Sequence, residues 1–145
     1  MILIDANLLI YSHISSFQQH EASRRWLDSR LNGTGRVGLP WSSLLGFIRI
    51  TSNPKVFERP LTVLQAWEQV QSWLSVASVW IPIPTDFHRE ILDRLIRQNQ
   101  LTARHVGDAH LAALAIEHGL ELCSSDGDFA RFKELRWTNP LLNHP

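Results

Sequence analysis

The sequence predicts an α/β fold: a three-layer α/β/α sandwich whose central sheet is mostly parallel. Three observations carry that expectation. Met1 to Ile4 is a short, continuously apolar run, the pattern of a strand buried on both faces. Further strand-like runs follow it, each separated from the next by a stretch of helical periodicity, which implies right-handed crossovers and helices on both sheet faces. The chain has 145 residues, the size of one ordinary domain. A chain of that length buries roughly 70% of the surface its unfolded form exposes, so it folds around one core without a disulfide or metal staple.

Taken in order, Asp5 ends the first strand and a turn of helix begins around Leu8, Leu9 and Ile10. From Phe17 to Leu31, Ala22, Trp26, Leu27 and Leu31 fall at helical spacing with Gln, Glu and Arg between them. Asn32-Gly33-Thr34-Gly35 breaks that helix. Arg36 to Leu39 is β-favouring and stops at Pro40. Trp41 to Thr51 is apolar almost all round, the mark of a buried helix. Ser52 to Pro60 reads as irregular loop. Thr62 suits an N-cap for a helix running to about Val76, with Leu64, Trp67, Val70, Trp73 and Leu74 facing inward.

Val79 to Ile83 is a third strand. Thr85 caps the next helix, with Phe87, Ile91, Leu92, Leu95 and Ile96 as its stripe. A further helix starts at Ala103 or Gly107, runs to His118 and is closed by Gly119. Glu121 to Ser124 is a fourth strand, Asp126 to Phe132 a short helix, and Leu135 to Thr138 a candidate fifth strand. One domain over residues 1–145 accounts for all of it, with no repeat or low-complexity segment.

Composition excludes several classes. Apolar residues at 44% against charged residues at 19% rule out a disordered chain. Fourteen basic and fourteen acidic residues cancel, so no net field advertises nucleic-acid binding. Lys55 and Lys133 are the only lysines among the fourteen, leaving twelve Arg. Arg forks grip phosphate bidentately, which keeps polyanion binding open wherever they cluster. The lone Cys123 forbids an internal disulfide and any cysteine-built metal site, and its apolar setting reads as a small buried side chain. Met1 to Ile10 has neither a basic leader nor a cleavage site, and no run approaches the ~18 apolar residues of a membrane span. The expectation is a cytoplasmic protein in a reducing compartment.

In open parallel sheets, functional groups sit outside the carboxyl ends of the strands. That rule selects Asp5 after the first strand, Asp126 and Asp128 after the fourth, and Asp108 at the start of a helix over the same edge. Crowded carboxylates repel and raise one another's pKa unless a cation joins them. Mg²⁺ or Mn²⁺ suits such oxygen donors, and a held ion suits attack of activated water on a phosphodiester. Read singly, each has a bland alternative: Asp5 and Asp108 as helix N-caps, Asp126-Gly127-Asp128 as an Asx turn. Their shared edge is what favours a site.

Other chemistries lack support. Gly33-Thr34-Gly35 is not followed by the Lys and helix of a phosphate loop, and no Gly-x-Ser-x-Gly elbow occurs. His105 and His110 lie five apart and so not on one helical face. His13 sits where it can approach the cleft; His20, His88, His118 and His144 read as surface or helix-end residues, and all seven are structural by default. Trp41 and Trp137, at element ends, are the two tryptophans placed to stack on a base.

Three segments carry a family resemblance: Ile4-Asp5-Ala6-Asn7-Leu8-Leu9-Ile10-Tyr11, Asp108-Ala109-His110-Leu111-Ala112-Ala113-Leu114-Ala115 and Ser125-Asp126-Gly127-Asp128-Phe129. In order and spacing they resemble the acidic motifs of PIN domains, and most closely those of VapC-type toxin ribonucleases. The resemblance implies a parallel sheet between helices and Mg²⁺-dependent endonuclease cleavage of RNA, with Mn²⁺ as a possible substitute. It also implies a homodimer held inactive by a cognate antitoxin. By resemblance Asp5 and Asp108 are the principal Mg²⁺ ligands, Asp126 the later acidic ligand and Asp128 a supporting catalytic carboxylate, while Asn7 orients Asp5. One departure stands out: Gly46 occupies about the place where the family usually carries Glu.

Arg49 either meets substrate phosphate or pairs with Glu58 or another surface acid, and Arg24, Arg25, Arg104 and Arg131 are candidates to line an RNA groove. Two readings follow. One is a metal-dependent endoribonuclease; the other is a decayed binding module whose acidic pocket receives a basic partner segment. A phosphatase with Asp5 as nucleophile is a weaker third, since Asn7 stands where a second aspartate belongs.

Overall fold

The computed structural model describes residues 1–142; His144 lies outside them. Five parallel strands form one sheet in the order β3-β2-β1-β4-β5: β1 Ile2–Ile4, β2 Val37–Gly38, β3 Val79–Trp80, β4 Glu121–Cys123 and β5 Trp137–Thr138. Period-two alternation splits the core between the two faces. Ile2, Ile4 and Cys123 enter one buried cluster with Leu8, Leu9, Leu44, Phe47, Val70 and Trp73. Leu3 and Leu122 enter the other, with Ile91, Leu95, Leu111 and Leu114. Helices α1 (Ala6–His13), α2 (His20–Leu31), α3 (Trp41–Thr51) and α4 (Val63–Leu74) thus cover one face, and α5 (His88–Gln98) and α6 (Val106–His118) the other. The expected three-layer parallel architecture is present. Cys123 is buried and its thiol is pushed up to about 12, mainly by that burial.

Several boundaries differ for local reasons. β3 stops at Trp80 rather than Ile83, because Pro82 and Pro84 lack the N–H a ladder needs. Helix α2 starts at His20, not Phe17, whose ring instead packs edge-on against Tyr11 and Phe57. Thr62 caps α4 as expected, in a reciprocal capping box with Gln65. Thr85 does not cap α5 directly. Its hydroxyl accepts from Phe87 N–H at 3.1 Å, one turn before the helix opens at His88. The segment Asp126 to Phe132 forms a 3-10 turn over Gly127–Arg131.

Three helical faces differ from those that apolarity alone predicts. On α4 the buried positions are Ala66, Val70 and Trp73, which puts Leu64 outward at 63% exposure and leaves Trp67 on the rim. On α5, Ile91 and Leu95 are buried while Phe87 and Ile96 face solvent. Helix α3 is not buried all round: Trp41 and Leu45 are exposed, and Trp41 stacks on Trp67. In each case a helix packs on one side only, and the apolar residues beyond that side stay wet.

Helix α6 ends where Gly119 takes φ +67°, the left-handed cap that a side chain resists. Gly119→Ala should therefore lower stability by about 1–2 kcal/mol, measured by urea unfolding. An unchanged midpoint would contradict this role.

Candidate active site

The sheet order reverses at β1: the chain leaves it for β2 and β3 on one side and returns through β4 on the other. The carboxyl ends of β1 and β4 therefore flank the crevice where parallel sheets place ligands. Asp5 follows β1, its N–H donating to Cys123 O at 3.0 Å, so that it continues the ladder beside β4. Its Oδ1 accepts from Ala6 N–H at 2.8 Å, making it the N-cap of α1. Its Oδ2 accepts from Ser124 Oγ at 2.7 Å and from Asn7 Nδ2 at 3.4 Å. Capping and site membership turn out to be compatible, and Asn7 does touch Asp5. Burial, the largest cause, raises the Asp5 pKa; the Ser124 and Ala6 bonds oppose it and the Asp126 charge adds to it.

Ser124 ties the two strand ends together. Besides donating to Asp5, it accepts from Asn7 Nδ2 at 3.1 Å and from Asp126 N–H at 3.0 Å. Asp126 in turn accepts from Asp128 N–H at 2.9 Å, the expected Asx turn, and that turn aims both carboxylates at α6. Asp108 lies in the first turn of α6; the residue at the N-cap position is His105, so Asp108 is no cap.

Oxygens of Asp108, Asp126 and Asp128 converge within 4.8 Å of one another. Asp5 stands beside this trio with both oxygens already engaged. The Asp108 pKa is raised to about 6, first by burial and then by the charges of Asp126, Asp5 and Asp128, with Arg131 opposing. Asp128 is differently placed: Arg104 Nη2 lies 3.6 Å, His105 Nε2 3.4 Å and Arg131 Nη2 3.8 Å from its carboxylate. His105 is 5% exposed, and its Nε2 has no partner at hydrogen-bonding geometry.

These residues fit a hard divalent cation. All the converging donors are carboxylate oxygens, burial and neighbouring carboxylates raise the Asp108 pKa, and no sulfur or histidine nitrogen belongs to the trio.

Other candidates fall elsewhere. Arg104 and Arg131 reach the cluster, whereas Arg24 and Arg25 pair with Glu21 on the surface of α2. Arg49 is exposed and forms no ion pair among the described residues, with Glu58 or otherwise. His13 ends α1 away from Asp5, where it packs edge-on against Phe47 and lines a cavity of about 500 Å³ with Thr51, Phe57 and Arg59. Trp137 is held by its Nε1–H to Ser124 O at 3.1 Å. His88 is no surface residue. Its side chain is 13% exposed, bonded to the buried Glu117 and 3.1 Å from His110.

Gly46 packs against α1, where an added Cβ would lie 3.2 Å from Ala6 Cβ. At the position where the resemblance leads one to expect Glu, α3 thus approaches α1 closely, beside Asp5. Two site residues escaped the sequence reading. Ser124 satisfies the same strand-end rule that picked out Asp5. His105 shows no signal in its spacing to His110; the contact that places it at the site is with Asp128, far along the chain.

The chain matches the PIN domain family model over residues 2–135. It is 42% identical to Ribonuclease VapC37 of Mycobacterium tuberculosis over 140 residues, covering 97% of each chain. Among solved structures, VapBC2 from Rickettsia felis bound to a promoter DNA fragment aligns at TM-score 0.67 and 15% identity, covering 96% of this chain and 98% of that one. A toxin–antitoxin complex from Klebsiella pneumoniae aligns at TM-score 0.63 and 18% identity, covering 97% and 98%.

The crowding at Asp108 has a thermodynamic signature. In metal-free buffer at neutral pH, Asp108→Asn should raise Tm by about 2 °C, because it removes a charge the folded state disfavours. A raised folded pKa means that the penalty is full above about 6 and vanishes below the ordinary aspartate range, so acidification should erase the gain. A Tm unchanged or lowered at neutral pH would contradict the cluster's electrostatics.

Proposed function

This chain belongs to the PIN-domain family, and on that premise we propose that it is a Mg²⁺-dependent endoribonuclease, the toxin of a toxin–antitoxin pair. The observation that carries the reading is the convergence of Asp108, Asp126 and Asp128 at the crevice between β1 and β4, with Asp5 beside them. The whole chain forms one such domain. Its substrate is RNA, its regulator a cognate antitoxin, and its working form a homodimer. No helix among the described residues is long and apolar enough to cross a membrane, and the reading places the protein in the cytoplasm.

The chain's own residues divide the labour. Asp5, Asp108 and Asp126 are the metal ligands in this reading, with Asp128 as supporting carboxylate; oxygens of Asp108, Asp126 and Asp128 lie within 4.8 Å of one another, and Asp5 beside them is oriented by Ala6, Asn7 and Ser124. Mg²⁺, or Mn²⁺ in its place, would there polarise a phosphoryl oxygen and favour ionisation of the attacking water. Arg104, three-quarters exposed at the rim, is free to swing from Asp128 to a backbone phosphate of the substrate. Arg131 is less exposed and stays anchored, its Nε donating to Asp128 O at 3.1 Å.

A second reading has one observation in its favour. Gly46 removes a carboxylate from the place where the family usually carries Glu, which suits a decayed pocket that only receives a basic partner segment. Mg²⁺ commonly needs only one or two carboxylates plus waters, so the trio suffices for the catalytic reading.

Asp5→Ala and Asp108→Ala should each abolish cleavage of total RNA by the purified, antitoxin-free chain while preserving its circular dichroism spectrum. Retained cleavage in both folded variants would overturn the nuclease reading. No cleavage by the wild type, with no Mn²⁺ binding by calorimetry, would favour the binding module.

A further inference from the structure

We propose that His105 is a positioning residue of this site, its Nε2–H being the buried donor that orients the Asp128 carboxylate to receive a divalent cation with Asp108 and Asp126. The inference rests on the metal-site reading above and adds to it a residue outside the four aspartates.

Hydrogen bonding fixes the tautomer. His105 Nδ1 lies 3.2 Å from Thr102 N and 3.2 Å from Thr102 Oγ1, with Arg131 Nη1 at 3.4 Å. A backbone N–H can only donate, so Nδ1 accepts and the ring proton resides on Nε2. That nitrogen is buried, has no partner at hydrogen-bonding geometry, and stands 3.4 Å from Asp128 Oδ2. Buried polar groups are rarely left orphaned. Among the described residues, the anionic acceptor within reach is a member of the converging carboxylate trio.

The other neighbours of Asp128 supply charge but little direction. Arg104 is three-quarters exposed on a flexible stem, and Arg131 spends its Nε on the Asp128 backbone carbonyl. The imidazole differs because its plane is pinned by Thr102 and by its own burial. It donates without carrying a positive charge, so it orients the carboxylate without competing with a bound cation. Residues that hydrogen-bond to a ligating group fix its orientation and raise affinity in this way.

The competing account makes His105 a purely structural residue that closes a second 3-10 turn, Ala103–His105, through Thr102. Two substitutions separate the accounts. His105→Asn retains an acceptor near Nδ1 and loses the donor at Nε2; His105→Gln carries an amide N–H out to about the Nε2 position. Mn²⁺ affinity is read by electron paramagnetic resonance titration of the purified chain, with circular dichroism confirming the fold.

His105→Asn should weaken Mn²⁺ binding by about 10–100-fold, with His105→Gln restoring most of it. In an Asp128→Asn background His105→Asn should have no further effect, since it acts through that carboxylate. Wild-type affinity in His105→Asn, an equal loss in both variants, or an undiminished loss in the Asp128→Asn background would each overturn the proposal. Should His105→Asn not fold, His105→Gln decides alone: near-wild-type affinity supports the donor role, and a tenfold or larger loss overturns it. A wild-type chain that binds no Mn²⁺ would overturn the metal-site reading itself, and this proposal with it.

Discussion

Repulsion among four aspartates at one sheet edge is the constraint around which the rest of this structure is arranged. Each carboxylate is accommodated differently. Asp5 is satisfied by Ala6 N–H, Ser124 and Asn7, at once helix cap and strand tie. Asp126 is held in its Asx turn by Asp128 N–H. Asp128 faces Arg104, Arg131 and His105. Asp108 has its pKa raised to about 6, first by burial and then by the charges of Asp126, Asp5 and Asp128, against which Arg131 is too weak an opponent. A fold that merely tolerated these groups would spread them apart; this one converges three of them to within 4.8 Å.

The architecture makes that convergence hard to avoid. Parallel pairing of β1 with β4 sets Ile4 opposite Cys123, so the residues that follow each strand emerge side by side although more than a hundred positions separate them in the chain. Helix α6 crosses the same edge with Asp108 in its first turn. On the opposite flank, Gly46 allows α3 to approach Ala6 closely. An added Cβ there would lie 3.2 Å from Ala6 Cβ, so any side chain at this position needs a small adjustment between α3 and α1.

Much of this was legible in the sequence, for definite reasons. The continuous apolar run at Met1 to Ile4 and the strand–helix alternation predict the parallel sheet, and the strand-end rule then selects Asp5, Asp126 and Asp128. Capping chemistry read locally succeeded at Thr62, where Gln65 completes the box, but failed at Thr85, where an extra turn intervenes before the helix. Helical faces were the weak point. Leu64, Trp67, Leu45 and Ile96 are apolar yet exposed, since periodicity shows which residues share a face but not how much of it a neighbour covers. His105 was illegible because its role depends on a contact across the fold with Asp128, whereas Ser124 satisfies the strand-end rule and only its bonds to Asp5 and Asn7 needed the fold.

Fold, family and charge arrangement meet in one claim: a divalent cation resolves the crowding at the carboxyl edge of β1 and β4, and cleavage chemistry depends on it. Anomalous diffraction from crystals of the chain soaked in Mn²⁺ tests this most directly. The account predicts an anomalous peak coordinated by oxygens of Asp5, Asp108 and Asp126, with Asp128 in support. Well-ordered density for all three side chains with no peak between them, or a peak held elsewhere, would contradict it.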